Sequence, residues 1–247
     1  MSEELLNTAE AARFLRVSQA SVRRWSDSGL LQARRVGRRR ERRFTEADLK
    51  RFLAPASKTS AGTLGIQSEV FIGGTAVPVH GHIATFYNSD EGRLRLTIPF
   101  FREGLQRGQP CFLAAAGEVL DAYMTALRKE EGVDIDSAVR RGMFVTADGP
   151  GESVEAALEY WERVMSRALT TGPTLIRVVG EMMSERNVFS SDAEMIKYEV
   201  AFNGIAKRFP TVTLCQYDAR AFWGEVLFQA LRAHPDLYTL GIASFLN

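Results

Sequence analysis

The sequence predicts a two-part protein, in which a small helical module with a β-hairpin precedes an α/β domain with a largely parallel sheet. Charge is the first indication, because residues 1–54 hold 13 Lys and Arg against 7 Asp and Glu, whereas the remainder holds 18 against 23. A stretch rich in Pro, Ser, Thr and Gly, "APASKTSAGTLG" (54–65), then marks a linker. After the linker, apolar strand-like runs alternate with helical patterns. We therefore expect a polyanionic partner for the basic first module alone.

Composition places the chain among ordinary globular proteins. Of its 247 residues, 45% are hydrophobic and 25% are charged. No apolar run reaches the roughly 18 residues of a transmembrane helix, and the acidic start "MSEELLNTAEAARF" lacks the features of a signal peptide. We expect a cytoplasmic protein that makes no membrane contact, with Cys111 and Cys215 reduced and buried.

The first module reads as a helix-turn-helix. Asn7, with Glu10 three residues later, resembles a capping box and predicts the start of a first helix. Ser18 can cap a second helix over residues 19–28, and Gly29 suits its end. Two short helices so closely spaced predict a helix-turn-helix whose second helix enters a major groove.

The run "ARRVGRRRERRF" (33–44) holds seven arginines within residues 34–43. Its two arms flank Gly37, and Thr45 with Asp48 begins a third helix, so the run predicts a β-hairpin wing. A solvated or disordered charge run is the alternative. A membrane-binding role is disfavoured because the arms lack an apolar face.

The candidate DNA-binding residues lie on the outer face of the second helix and on the wing. The helix residues would approach base edges or adjacent phosphates, and the wing arginines would contact the phosphate backbone. The full set is Ser18, Gln19, Ser21, Arg23, Arg24, Arg34, Arg35, Arg38, Arg39, Arg40, Arg42 and Arg43.

Over about 47 residues, "AEAARFLRVS", "SVRRWSDSGLL" and "RRF" before a capped helix resemble the winged helix-turn-helix of the MerR and excisionase superfamily. The resemblance implies binding to double-stranded DNA. MerR regulators usually continue into a long dimerising helix, whereas here the linker follows. We therefore expect a homodimer whose contacts come from the C-terminal domain.

The second module predicts a parallel sheet with helices on both faces, because most strand candidates are nearly continuous apolar runs. It contains no GxxxxGK[ST], GxSxG or GxGxxG motif, and we predict neither a phosphate loop nor catalytic residues. The strand candidates are residues 82–87, 111–116, 143–147, 174–181 and 211–218, and helical patterns lie near 91–107, 118–131, 153–170, 192–208 and 219–232.

Ligands of such sheets bind beyond the carboxyl ends of the strands. On this basis the candidate ligand-binding residues are His82, Tyr87, Glu181, Cys215, Tyr217 and Asp218. Structural alternatives stay open for four of them. His82 can be a buried, hydrogen-bonded side chain, Cys215 a core thiol and Asp218 a helix cap, while Glu181 can form an ion pair with Arg177, Lys197 or Arg220.

A metal site is a weaker hypothesis. His80 and His82 share a face if the first strand extends that far, and with Glu181 and Cys215 they could bind zinc. No pair shows tight ligand spacing, so we predict no metal and no cofactor. His234, before Pro235, is expected at a helix end.

Residues 79 to about 245 resemble the MEDS domain, a sensory domain of methanogens and methylotrophs. The resemblance rests on "HGHIATFYNSDEGRLRLTIPFFREGLQRGQPCFLAA", "IRVVGEM", "YEVAFNGIAKRFPTVTLCQYDARAF" and "ALRAHP". It implies a RecA-like α/β domain without a phosphate loop that senses small hydrocarbon derivatives. Gln109 departs from the glutamate that the family often has there.

We therefore predict a DNA-binding domain over residues 1–54, a linker over 55–78 and a sensory domain over 79–247. The expected function is transcription regulation in response to a small-molecule or protein signal. The alternative is an excisionase-like architectural or partner-switching protein whose α/β domain binds another protein. A sensor would have an enclosed pocket, and a partner-switching protein an exposed apolar face.

Overall fold

A computed structural model describes most of the chain. Contacts divide the chain into two units, residues 1–61 and 62–247. The predicted linker, as far as residue 68, lies outside the described residues. The described residues are 5–15, 19, 22–23, 26, 31–37, 41–53, 69–147 and 151–247.

The N-terminal unit contains a three-stranded antiparallel sheet in the order β1-β3-β2. Gln19, Val22, Arg23 and Ser26 are helical, in agreement with the predicted second helix. The hairpin of β2 and β3 confirms the predicted wing. The other elements are β1 (Leu5–Leu6), α1 (Thr8–Leu15), β2 (Arg34–Val36), β3 (Glu41–Thr45) and α2 (Glu46–Leu53).

Helices α1 and α2 begin as the sequence predicts. Asn7 Oδ1 accepts hydrogen bonds from the backbone N–H groups of Ala9 and Glu10, and Glu10 Oε2 accepts one from Asn7 N at 2.7 Å. Thr45 Oγ1 accepts from Asp48 N at 3.0 Å. A small core holds the unit together and comprises Ala11, Ala12, Leu15, Val22, Leu31, Phe44 and Leu49.

The C-terminal unit is built on a five-stranded, wholly parallel sheet in the order β6-β10-β9-β7-β8. Its strands are β6 (His82–Tyr87), β7 (Cys111–Ala114), β8 (Phe144–Ala147), β9 (Ile176–Glu181) and β10 (Thr211–Asp218). Every residue of β6, β9 and β10 is buried, as expected of a parallel sheet covered on both faces. The predicted α/β class is thereby confirmed.

Helices connect these strands, and serine side chains cap the starts of the three longest. Ser89, Ser153 and Ser191 each accept a hydrogen bond from a backbone N–H of the first turn. The helices are α3 (Asp90–Gln106), α4 (Gly117–Arg128), α5 (Ile135–Arg140), α6 (Val154–Leu169), α7 (Met182–Arg186), α8 (Asp192–Arg208), α9 (Gly224–Ala233) and α10 (Leu237–Leu240). Among the described residues, no helix combines the length and apolar character needed to span a membrane.

A second hairpin precedes the sheet and was not predicted. Its strands, β4 (Glu69–Ile72) and β5 (Thr75–Pro78), lie within the span predicted as linker. Gly73 and Gly74 both have positive φ and form the turn, so glycines that resembled linker composition instead close a hairpin. Buried Val70, Ile72 and Val77 give it an apolar side.

Candidate functional site

The arginine-rich hairpin of β2 and β3 is the candidate DNA-binding surface. Arg34 lies opposite Arg43 and Arg35 opposite Arg42, so four arginines occupy two facing pairs of positions. Arg34 and Arg35 are exposed, whereas Arg42 and Arg43 are half-buried. One cation is partly neutralised, since Arg43 Nη2 lies 2.8 Å from Glu41 Oε2.

Two residues of the predicted recognition helix are also exposed. Arg23 Nη2 donates to Gln19 Oε1 at 3.2 Å, one helical turn away. Gln19, Arg35, Arg42 and Arg43 line an open cleft of about 410 Å³ together with the first turn of α1. Six further predicted DNA-binding residues lie outside the described residues: Ser18, Ser21, Arg24, Arg38, Arg39 and Arg40.

In the C-terminal unit, the strand register places the six predicted ligand-binding residues on opposite faces of the sheet. Successive residues of a strand point to opposite faces, and parallel partners share a face. His82 pairs with Thr213, so it shares a face with Cys215 and Tyr217, which we call the His82 face. The Tyr87 face carries Tyr87, Asp218 and Glu181.

On the His82 face, four buried side chains converge, which we call the His82 cluster: His82, Glu199, Cys215 and His234. Nε2 of His82 lies 3.1 Å from Cys215 Sγ, 3.1 Å from His234 Nε2 and 3.6 Å from Glu199 Oε2. Glu199 Oε2 lies 2.8 Å from His234 Nε2, and all four ligand atoms lie within 4.8 Å of one another. The residues come from β6, α8, β10 and the C-cap of α9, which agrees with the helix-end position expected for His234.

Burial opposes ionisation in this cluster, but it does not decide the outcome at Glu199. Burial and the neighbouring His234 lower the pKa of His82, which favours neutral imidazole. Burial and then Glu199 raise the pKa of the Cys215 thiol and that of the Tyr217 phenol. Burial also opposes ionisation of Glu199, but contacts with His234 and His82 outweigh it and hold the pKa of Glu199 below its usual range.

On the Tyr87 face, Glu181 is buried but well supplied with donors. Tyr87 OH donates to Glu181 Oε1 at 2.7 Å, while Ser184 N and Ser184 Oγ donate to Oε2 at 2.9 and 3.1 Å. Burial and Glu181 together raise the pKa of the Tyr87 phenol, so it remains a donor. Glu181 therefore caps α7.

Two of the ion-pair partners suggested for Glu181 are engaged elsewhere. Buried Arg177 donates to Gln109 Oε1 at 2.8 Å and to the Phe100 carbonyl at 2.7 Å, and lies 3.1 Å from Glu103 Oε2. Gln109, the residue that departs from the family pattern, thus binds an arginine.

Arg220, the other engaged partner, donates to Asp218 Oδ2 at 2.7 Å and to Asp90 Oδ1 at 2.9 Å. The suggestion that Asp218 caps the last helix was wrong, because α9 begins only at Gly224. Asp218 instead binds Arg220, two residues along the chain, and holds the turn that follows β10.

His80 lies outside the His82 cluster. The strand begins at His82, and His80 sits in a turn with φ 71°, where its Nδ1 is 3.3 Å from the Ala206 carbonyl. The first strand does not extend to His80, so the condition for a strand face shared with His82 is not met.

Comparison with known proteins agrees with these two units. Residues 81–235 match the family described as MEthanogen/methylotroph, DcmR Sensory domain (MEDS), and residues 5–57 match a helix-turn-helix domain. The chain belongs to the MEDS-domain family. The transcriptional repressor DcmR of Methylorubrum extorquens is 34% identical over 96% of this chain and 92% of that protein.

Among solved structures, the flagellar accessory protein FlaH from Methanocaldococcus jannaschii is similar to this chain at 12% identity. The similarity covers 64% of this chain and 70% of FlaH, with a TM-score of 0.41.

Glu199 and His234 are the residues of the MEDS domain that sequence reasoning did not place in a site. A signal for Glu199 exists: it follows Met195 by four residues and precedes Phe202 by three on α8, so it lies on an apolar helix face. A carboxylate at such a position needs a partner. The sequence alone does not reveal that the partners are His82 and His234.

Proposed function

We propose that this chain is a transcription regulator, acting as a repressor in the cytoplasm, whose helix-turn-helix unit binds double-stranded DNA and whose MEDS domain responds to a small-molecule signal. The observation that carries the proposal is the hairpin of β2 and β3, in which arginines lie opposite each other, within the span that matches a helix-turn-helix domain. A relative described as a transcriptional repressor aligns across both units, which supports the same role here.

The charge pattern of the hairpin favours a polyanionic partner. Like charges directly opposite each other destabilise a hairpin, yet Arg34 faces Arg43 and Arg35 faces Arg42. Phosphates of DNA that contact these arginines would release condensed counterions. Because phosphate contacts carry no sequence information, base readout would come from the second helix, where Gln19 and Arg23 are exposed.

The salt dependence of binding to a labelled random-sequence duplex tests this proposal. Each phosphate contact contributes about −0.9 to the slope of log affinity against log salt. The double variant Arg34→Ala/Arg35→Ala should flatten the slope by about 2 if each arginine holds one phosphate. A matched control is Arg140→Ala/Arg141→Ala, which removes two exposed arginines from the MEDS domain and should leave the slope unchanged. An unchanged slope in the hairpin variant would exclude this surface.

For the signal, we propose a simple hydrocarbon derivative bound at the carboxyl edge of the sheet. Tyr87, Glu181 and Asp218 lie at the ends of adjacent strands, where parallel sheets commonly bind ligands. Native mass spectrometry of gently purified protein, followed by titration of short halogenated and methylated compounds against DNA binding, tests this. A compound that binds and releases DNA supports the proposal, and a panel without any effect contradicts the compound class.

We also propose that the regulator is a homodimer through its MEDS domain. The side chains of Trp223 and Phe228 are 77% and 58% exposed. Exposed aromatic side chains are enriched at protein interfaces. The same observation favours the second candidate function, in which this surface binds a different protein.

Sedimentation of the full chain separates these two candidates. A dimer that dissociates in Trp223→Ser/Phe228→Ser, with folding intact by circular dichroism, supports self-association. A wild-type monomer, both free and bound to DNA, contradicts the homodimer and favours a partner protein.

A further inference from the structure

The His82 cluster carries an inference that goes beyond transcription regulation. Two imidazole nitrogens, a thiol sulfur and a carboxylate oxygen meet at one point in the interior of the MEDS domain. We propose that His82, Glu199, Cys215 and His234 bind a divalent transition-metal ion, with zinc as the best fit.

The distances suit a tetrahedral ion. Zinc–ligand bonds of about 2.0–2.3 Å at tetrahedral angles separate the ligand atoms by about 3.3–3.8 Å. In the cluster, the separations from His82 Nε2 are 3.1, 3.1 and 3.6 Å, and no pair of ligand atoms exceeds 4.8 Å. Small side-chain rotations would bring all four atoms onto one centre.

Hydrogen bonds on the far side of each imidazole fix the ring nitrogen that faces the cluster. His234 Nδ1 lies 2.7 Å from the Ala230 carbonyl, which can only accept, so Nδ1 carries the proton. In a neutral ring, Nε2 then presents a lone pair. Metal-binding histidines are typically oriented in this way by a second hydrogen bond.

The same conclusion holds for His82, because the orientation of its partner Asn203 is determined. Asn203 Nδ2 donates to the carbonyls of Glu199, Val200 and Ala233, so its Oδ1 is free to accept. His82 Nδ1 lies 3.2 Å from this oxygen and therefore donates to it. When both rings are neutral, two Nε2 lone pairs face each other at 3.1 Å, a repulsive arrangement that a cation bound between them would relieve.

Glu199 supplies the second independent observation. Its Oε2 is fully buried and makes no hydrogen bond of acceptable geometry, although His234 Nε2 is only 2.8 Å away. An unpaired buried carboxylate oxygen is costly, and buried charges are normally paired or bound to metal. Here Oε2 is aimed at the point where the other three donor atoms meet.

The donor set indicates which ion fits and what it does. Thiolate, imidazole and carboxylate together suit zinc, whereas magnesium and calcium prefer oxygen alone. Four protein ligands complete a tetrahedral shell, which is typical of a structural site. The ion would join β6, β10, α8 and the end of α9, and so fix the helices that cover the His82 face.

Metal analysis of the full chain, purified without a polyhistidine tag under reducing conditions and supplemented with zinc, tests the proposal. We expect close to one zinc per chain. Cys215→Ala should lose the zinc, whereas the matched control Cys111→Ala, at the other buried cysteine, should keep it. Trace zinc in the wild-type protein, or equal zinc in both variants, would overturn the assignment.

Cobalt substitution of the wild-type chain gives a readout that does not depend on the folding of a variant. A tetrahedral site with one thiolate should give strong visible absorption and a sulfur-to-cobalt charge-transfer band in the near ultraviolet. Wild-type protein that takes up no cobalt, or shows no thiolate band, would overturn the proposal.

Discussion

The two faces of the central sheet both bury carboxylates, but their surroundings differ. On the Tyr87 face, Glu181 receives three hydrogen bonds, from Tyr87 OH, Ser184 N and Ser184 Oγ. On the His82 face, Glu199 Oε2 receives none of acceptable geometry, and nitrogens of His234 and His82 lie 2.8 and 3.6 Å from it. The protein supplies hydrogen-bond donors for the first carboxylate, whereas Oε2 of the second is buried without a hydrogen bond.

This difference shows that burial alone does not distinguish a structural carboxylate from a ligand. A structural carboxylate has an identified hydrogen-bond donor for each of its contacts, whereas a ligand carboxylate lacks such donors. On the Tyr87 face every contact to Glu181 has an identified donor, so the network is complete within the protein. On the His82 face the outer hydrogen bonds occupy both Nδ1 protons, which leaves Nε2 of each neutral ring as an acceptor.

Removal of the proposed zinc should produce the largest change in the free energy of unfolding of the MEDS domain. A ligand at about a thousand times its dissociation constant stabilises the folded state by about 4 kcal/mol. Urea unfolding of the MEDS domain, followed in the full chain, should therefore lose about this much free energy when a chelator replaces zinc. Cys111→Ala should retain the zinc dependence, and superimposable unfolding curves of the wild-type protein in the two buffers would contradict the site.

Replacing Glu199 on the His82 face and Glu181 on the Tyr87 face, one at a time, tests whether only the first carboxylate binds the metal. Glu199→Gln keeps the size of the side chain but removes the charge of a proposed ligand, so the stability difference between zinc and chelator should shrink markedly. Glu181→Gln should cost about 1–3 kcal/mol through weakened hydrogen bonds, with the zinc dependence unchanged. Zinc-dependent unfolding that responds equally to both substitutions would remove the distinction between the faces.

Tyr87→Phe tests the hydrogen bonds that surround Glu181 on the Tyr87 face. It removes the donor to Glu181 Oε1 and leaves a buried carboxylate oxygen without that partner. Unfolding in urea should show a loss of about 1–3 kcal/mol, with metal content as in the wild type. A loss of zinc in this variant would mean that the two faces are coupled.

Most of the fold of the MEDS domain was predictable from the sequence. The predicted strands 82–87 and 211–218 and the helix 192–208 coincide with β6, β10 and α8, because long apolar runs and capped starts define them locally. The residues of the site were less predictable, because the order of the strands in the sheet decides which side chains meet. Only the structure shows that β10 lies between β6 and β9, and that the period of two then separates Cys215 from Glu181.

The smallest effect is expected at the exposed end of the Tyr87 face, where Asp218 pairs with Arg220. Burial opposes ionisation of Asp218, but the hydrogen bonds from Arg220 outweigh it and lower the pKa of Asp218. A lowered pKa in the folded state stabilises the protein above the unfolded value of about 3.9, and this contribution is lost as the pH falls through the folded value.

Arg220→Ala should therefore lower the free energy of unfolding only slightly at neutral pH, because Arg220 is half-exposed and solvent screens the pair. The difference from wild type, measured by urea unfolding, should vanish in acid once Asp218 is protonated. A difference that persists in acid would show that Arg220 acts through packing rather than through its charge. In either case, a pair whose arginine meets solvent is replaceable, whereas all four side chains of the His82 cluster are buried away from water that could substitute for a lost partner.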